Sequence, residues 1–293
     1  MWDLKEYRYA SSPEDAVALL RKGPGRGMFI AGGTDLLLFP PACDFVVDVS
    51  RAGIDRLAAT PDGDLFLGAA ATLHTLTTDP LVTGFAGGAV SHAAAHCGNR
   101  PVRSTATLGG NLCNALPSAD MAPVLIALDA TCYIADVDNQ ESIPLVDFFT
   151  GPRRTVLGDR LLVGVALPAE AGRRVCRSRK LTRSAEDISL VQVAVALGME
   201  GGRLDQVRIA LGAVAPVPLR AGLAETALTD LDFHSDCTAA VADAAEIAAG
   251  ECDPISDHRA SAEYRRDMVR VLTGRLIAEC LDDLRRGGNG GAA

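Results

Sequence analysis

Two glycine pairs, each set in a short run of apolar and hydroxyl residues, restrict most severely how this chain can fold. The first ends the apolar run Met28-Phe29-Ile30-Ala31 as Gly32-Gly33-Thr34-Asp35 and resumes as Leu36-Leu37-Leu38; the second is Thr107-Leu108-Gly109-Gly110-Asn111. Residues without a Cβ let main-chain N–H groups converge and let a ligand approach the backbone closely, so each segment has the means to hold a diphosphate. Taken alone, either pair reads equally as a tight turn between a strand and a helix. Neither has the spacing G-x-G-x-x-G or G-x-x-x-x-G-K-[ST], so a Rossmann or P-loop site is not supported.

The residues beside the glycines sharpen this. Thr34 offers a hydroxyl to a phosphate oxygen, whereas Asp35 carries the wrong charge for that contact and suits orienting backbone or ribose groups. From Ser104 to Asn114, hydroxyls, glycine amides and two carboxamides alternate, a composition that can line one wall of a long polar cofactor. Asp120 follows Asn111 by nine residues. It reads either as an acceptor for a heterocycle or ribose, or as the N-cap of a helix over Met121 to Leu128.

The pattern along the chain is mixed α+β. Ser12-Pro13-Glu14-Asp15 predicts a capped helix. Strands are expected at 28–31, 45–49, 65–69, 131–136, 161–167, 177–181, 189–199 and 207–213, and helices after Thr72, over Phe85 to Cys97, over 237–249 and over 260–284. The stretch from Arg51 to Pro61 reads as a helical turn and linker. These elements divide into a first lobe over 1–55, a second over 56–171, a C-terminal α+β domain over 172–285 and a structureless tail over 286–293.

Charge and cysteine spacing exclude several functions. At 293 residues and net charge −9, the chain lacks the concentrated basic surface that nucleic-acid phosphates require. Its eight cysteines are widely separated with no CxxC pair, which argues against a zinc or iron–sulfur site made by this chain alone. No apolar run of spanning length is present and the start is charged, so no membrane segment and a cytoplasmic location are expected.

Together, FIAGGTDLL from Phe29 to Leu37, TLGGNLCNALPSAD from Thr107 to Asp120 and KLTRSAEDIS from Lys180 resemble the FAD-binding medium subunits of the xanthine dehydrogenase and carbon monoxide dehydrogenase group of molybdenum hydroxylases. The resemblance implies a two-lobed FAD-binding domain similar to that of vanillyl-alcohol oxidase, followed by the C-terminal α+β domain of carbon monoxide dehydrogenase flavoproteins. It implies cofactor contacts at Phe29, Ile30, Ala31, Gly32, Gly33, Thr34, Asp35 and Leu36, and at Thr107, Leu108, Gly109, Gly110 and Asn111. Asp120 would lie near the adenosine side or its loop, with Leu162 carried over by alignment. Lys180 would lie near the flavin N1/C2 edge, where a fixed positive charge favours the anionic reduced ring. Read without the resemblance, Lys180 is an exposed strand-edge lysine. Asp187-Ile188 corresponds to the loop beside the flavin in relatives using NAD and is shorter here; Cys97 stands where relatives have an aromatic side chain.

The implied role is electron transfer, with no catalytic or metal-ligating residue on this chain. FAD would be its only cofactor. Two-iron two-sulfur clusters and molybdopterin would belong to a small and a large partner subunit, in a dimer of heterotrimers. The alternative is a self-sufficient FAD-dependent reductase or oxidase, which would need a general acid or a covalent flavin attachment residue; no His or Cys offers itself for either role.

Overall fold

The structure, a computed structural model, describes residues 4–288. The first lobe holds β1 (Glu6–Tyr9), α1 (Pro13–Arg21), β2 (Gly27–Ile30) and β3 (Phe45–Asp48), with the strands in a parallel sheet of order β1-β3-β2. The Ser12 hydroxyl accepts from the Asp15 amide at 3.1 Å and Pro13 opens α1, as the capping pattern predicts. Central β3 is buried at every residue, which is why Phe45-Val46-Val47 is continuously apolar.

The second lobe is an antiparallel sheet of order β4-β5-β10-β6-β7, built from β4 (Leu57–Ala59), β5 (Leu65–Gly68), β6 (Thr131–Ala135), β7 (Gln140–Pro144) and β10 (Leu161–Leu167). A small hairpin of β8 (Phe149–Gly151) and β9 (Arg154–Thr155) precedes β10. Between β5 and β6 the chain makes six short helices: α2 (Leu73–Thr78), α3 (Pro80–Gly84), α4 (Ala89–Ala95), α5 (Arg100–Arg103), α6 (Leu108–Cys113) and α7 (Ala122–Ala127). Two expectations fail here. Strand β4 lies in the stretch read as a turn and linker, because pairing with β5 supplies order that three residues do not signal alone. The helix expected from Phe85 begins only at Ala89, because Ala86, Gly87 and Gly88 adopt left-handed φ of 47°, 64° and 78°.

The last part is an antiparallel meander of β11 (Val175–Leu181), β12 (Val191–Glu200), β13 (Arg203–Gly212) and β14 (Leu219–Arg220), followed by α8 (Gly222–Leu228), α9 (Thr238–Gly250) and α10 (Ala262–Gly288). Helix α8 carries no cap or strong periodicity and was not expected. Strand β12 of the meander is buried on both faces over residues 191–197, and the faces alternate with the two-residue strand period. Val191, Val193, Val195 and Leu197 of β12 join the core shared with α9 and α10, while Ala194 and Ala196 join the core shared with the first two lobes. Small side chains on that second face let α7 lie against β12 and β13. Helix α10 runs to Gly288, into the tail expected to lack structure from residue 286; residues 289–293 of that tail lie outside the described residues.

Candidate functional site

The first glycine segment is a turn at the end of β2. Gly33 is left-handed at φ 67°, and a Cβ placed on Gly32 would come within 1.9 Å of the Thr105 carbonyl oxygen, so this turn is packed against the segment leading into the second motif. The turn closes through Leu37 N–H to Gly33 carbonyl at 2.9 Å and Phe39 N–H to Asp35 carbonyl at 2.9 Å. Among the described residues no protein acceptor takes the amides of residues 32 to 36, so five consecutive N–H groups are free for a ligand. Buried or half-buried amides are nearly always paired, and a run of unpaired ones is the donor set an anion requires. Phe29 is half-buried and Ile30 buried behind the turn; Ala31, Thr34 and Leu36 are half-buried and Asp35 is exposed.

The second segment is not a loop. Thr107 is the N-cap of α6, its hydroxyl accepting from the Gly110 amide at 3.1 Å. The Leu108 and Gly109 amides donate to the Ala71 and Ala69 carbonyls at 3.0 and 2.7 Å. The expectation that both glycine pairs present free amides fails for the second, since α6 already satisfies its N-terminal donors from within the chain. The glycines still have a packing reason: a Cβ on Gly109 would lie 2.8 Å from Ala69 Cβ, and one on Gly110 2.9 Å from Thr107 Oγ1.

The third part of the site joins α7 to the meander. Asp120 does not cap α7, whose N-cap position is Met121 with no side-chain cap bond. Its carboxylate instead faces Lys180, with Nζ 3.0 Å from Oδ1 and 3.1 Å from Oδ2, and accepts from Gln192 Nε2 at 2.6 Å. Lys180 also donates to the His96 carbonyl at 3.1 Å and is 11% exposed, so it is no free edge lysine although β11 is an edge strand. The resemblance puts Asp120 toward the adenosine side and Lys180 at the flavin; the structure sets the two in contact, so both belong to one end of the site. Asn111 connects this node to α6, its Oδ1 accepting from the Met121 amide at 3.1 Å and its Nδ2 lying 4.0 Å from Cys97 Sγ.

Burial dominates the electrostatics. It pushes the Asp120 pKa above the ordinary carboxylate range even though Lys180, Cys97 and Gln192 act to lower it. Burial, followed by the Asp120 charge, likewise pushes the Cys97 thiol well up, so Cys97 is no thiolate nucleophile. Asp120, Lys180 and Gln192 of the node, with His92, His96 and Arg179, line a cavity of about 130 Å³. Pockets that enclose a drug-sized ligand run to roughly 300–1,000 Å³, so it is too small for a flavin ring. The His96 ring sits at the end of α4, its Nδ1 2.8 Å from the His92 carbonyl, as a helix-end histidine does.

Leu162 is 1% exposed in β10 beside a register shift against β6, so its side chain belongs to the core. The loop containing Asp187 and Ile188 reaches back over α5, with Asn99 donating to Glu186 at 3.0 Å and Ile188 exposed. Gln192 is a residue that sequence reading missed. Its signal is a lone amide in Leu190-Val191-Gln192-Val193-Ala194-Val195, where the strand is otherwise apolar on both faces.

Residues 4–170 match the family model described as the FAD binding domain in molybdopterin dehydrogenase, and residues 178–280 match the CO dehydrogenase flavoprotein C-terminal domain. The chain is 30% identical to the glyceraldehyde dehydrogenase medium chain of Sulfolobus acidocaldarius, over 93% of this chain and 97% of that one. It is 29% identical to a putative xanthine dehydrogenase FAD-binding subunit of Escherichia coli, over 96% and 97%. Its fold superposes on a chain of carbon monoxide dehydrogenase from Hydrogenophaga pseudoflava with a TM-score of 0.89 at 28% identity, covering 96% of this chain and 98% of that one. For quinoline 2-oxidoreductase from Pseudomonas putida the TM-score is 0.86 at 29% identity, covering 97% and 99%. The chain belongs to the family of FAD-binding medium subunits of the molybdopterin dehydrogenases.

Proposed function

We propose that in this chain the five free amides of residues 32 to 36 bind the FAD diphosphate, and that Lys180 faces the flavin end. The amides carry the reading, because among the described residues five consecutive donors at the glycine turn of the first motif have no protein acceptor. Bound FAD supplies one-electron exchange with iron–sulfur clusters on one side and transfer to an external acceptor on the other. The chain's own residues bind and orient. Gly32 and Gly33 let the diphosphate approach the main chain, while Thr34 adds a hydroxyl. Thr107 and Asn111 hold α6 and the start of α7 in register beside it, and Lys180 presents an ammonium. Phe29, Ile30, Ala31, Asp35, Leu36, Leu108, Gly109 and Gly110 shape these segments, and Leu162 supports them from the core.

The two-iron two-sulfur clusters and the molybdopterin then belong to a small and a large partner chain, and the assembly is a dimer of heterotrimers in the cytoplasm. Among the described residues no helix is long and apolar enough to cross a membrane, and no group of three or more His, Cys, Asp or Glu is placed to hold a metal. Lobes over 1–55 and 56–171 and a C-terminal domain over 172–285 are part of the same proposal, supported by three main sheets that each draw their strands from one of these ranges.

Gly32→Ala tests the diphosphate site, since its methyl group meets a main-chain oxygen that cannot move aside. Overpacking of about 1–3 kcal/mol, taken up by a shift of the turn, weakens FAD binding roughly 5- to 150-fold. Full flavin content in a folded Gly32→Ala protein overturns the assignment. In native extracts the wild-type chain is expected to be yellow and to copurify with iron–sulfur and molybdenum polypeptides. A colourless chain that takes up no FAD sinks the reading, and unaided substrate oxidation by a yellow chain favours a self-sufficient oxidase.

A further inference from the structure

We infer that Gln192 is a positioning residue which, by way of Asp120, fixes the Lys180 ammonium toward the edge of the bound flavin; this rests on the FAD reading above.

The sheet register builds the arrangement. Lys180 of β11 and Gln192 of β12 are direct cross-strand partners, so their side chains leave the same face of the meander side by side, toward α7. Gln192 is in turn paired with Gly212 of β13, where a Cβ would stand 2.7 Å from Gln192 Oε1; the glycine makes the room in which the amide lies. Gln192 is 3% exposed, and its Nε2 donates to Asp120 Oδ1 at 2.6 Å and to the Ser118 carbonyl at 3.4 Å.

Two features make this more than packing. First, Gln192 Oε1 is buried with no hydrogen-bond partner, a cost that an apolar residue in this strand would avoid. The position therefore keeps glutamine for what its NH₂ group does, which is to hold Asp120. Second, an ammonium has three N–H donors. The Asp120 carboxylate and the His96 carbonyl take two in fixed directions, leaving the third for a ligand. Lysine is a point charge on a flexible stem, so its value to a redox cofactor depends on such anchors.

The test compares wild type, Gln192→Leu, Gln192→Glu and Lys180→Met in the full chain. The midpoint potential of bound FAD is measured across pH, and the rate of reductive methylation at Lys180 is followed by mass spectrometry in FAD-free protein. Gln192→Leu is expected to lower the preference for reduced flavin about tenfold, a shift of about 30 mV for a two-electron couple, with Lys180→Met lowering it further. Lys180 is expected to methylate faster in Gln192→Leu than in wild type. Gln192→Glu is expected to resemble wild type at low pH, where its protonated carboxyl donates to Asp120. At higher pH, where two carboxylates repel, it should fall to the Gln192→Leu potential.

A flavin-loaded Gln192→Leu with wild-type potential and wild-type Lys180 labelling overturns the inference and leaves the FAD reading intact. If Gln192→Leu does not fold, a Gln192→Glu potential that tracks wild type at every pH overturns it. A wild-type chain that binds no flavin overturns both.

Discussion

Helix α7 has an aspartate two residues before its start and another two residues after its end, and the C-terminal meander answers each with cations. At the far end Asp129, left-handed at φ 53°, accepts from Arg174 at 2.6 Å, Arg208 at 2.8 and 2.9 Å and Arg220 at 3.2 Å. At the near end Asp120 has one lysine, one amide and the Cys97 thiol. Burial works against the charge of both carboxylates, but the Arg208 and Arg174 guanidiniums outweigh it at Asp129 and hold that pKa below the ordinary range. At Asp120 burial wins and the pKa rises. Three planar guanidiniums crowd the Asp129 carboxylate, and the donor they leave over, Arg174 Nη2, is buried, whereas Lys180 keeps its donor beside a cavity. One end of α7 is a clasp to the C-terminal domain, and the other is the end proposed above to face the flavin.

The comparison breaks most visibly at the clasp. Asp129→Ala takes the shared anion from three guanidiniums: Arg220 keeps Glu225, but Arg208 loses its carboxylate and Arg174, whose side chain is 1% exposed, keeps only Glu170 at 3.9 Å. Removing one partner from a buried ionic group costs about 3–5 kcal/mol, so a large fall in the urea midpoint is expected. Folded Asp129→Ala should keep its FAD. A loss below about 1 kcal/mol, the size of an exposed ion pair, would show that the arginines hold nothing that matters.

Asp120→Asn should reverse the balance between stability and function. The asparagine can still accept from Gln192, and a carboxyl whose ionisation burial already disfavours is removed, so the cost is about 1 kcal/mol. Flavin properties should change more. Without the carboxylate Lys180 loses its anchor, and the midpoint potential of bound FAD should move while the urea midpoint hardly does. A variant destabilised as much as Asp129→Ala, with an unaltered potential, would make Asp120 a second clasp.

How much of this could be read in advance differs between the ends. The glycine pairs, Asp120 and Lys180 stand in recognisable segments, and the apolar runs locate most strands because alternation and burial are local properties. Pairing is not local. Nothing in the order of residues says that Lys180 lies opposite Gln192, or that Thr107 caps a helix through Gly110 where glycines suggest a loop, since two glycines in six residues disfavour α6 by propensity. Asp129 was invisible as a hub because its three arginines come from positions 45 to 91 residues away. Gln192 was visible in principle, as a polar residue in an apolar strand, but only the structure shows what it holds.

The smallest expected effect is also the one that separates the two ends by sign. Asp129 has a folded pKa below its unfolded value, so its contribution is present above the unfolded pKa, near 4, and is lost as pH falls through the folded one. Asp120 has a folded pKa above its unfolded value. Its contribution is therefore full below the unfolded pKa and is lost as pH rises through the folded one. Urea titrations of FAD-free protein should show Asp129→Asn flattening the acid limb of the stability curve, while Asp120→Asn flattens the limb above pH 4. Equal slopes in the two variants would mean that both carboxylates titrate alike. The contrast would then reduce to the number of partners each one has, and the free donor of Lys180 would be the sole distinction between clasp and site.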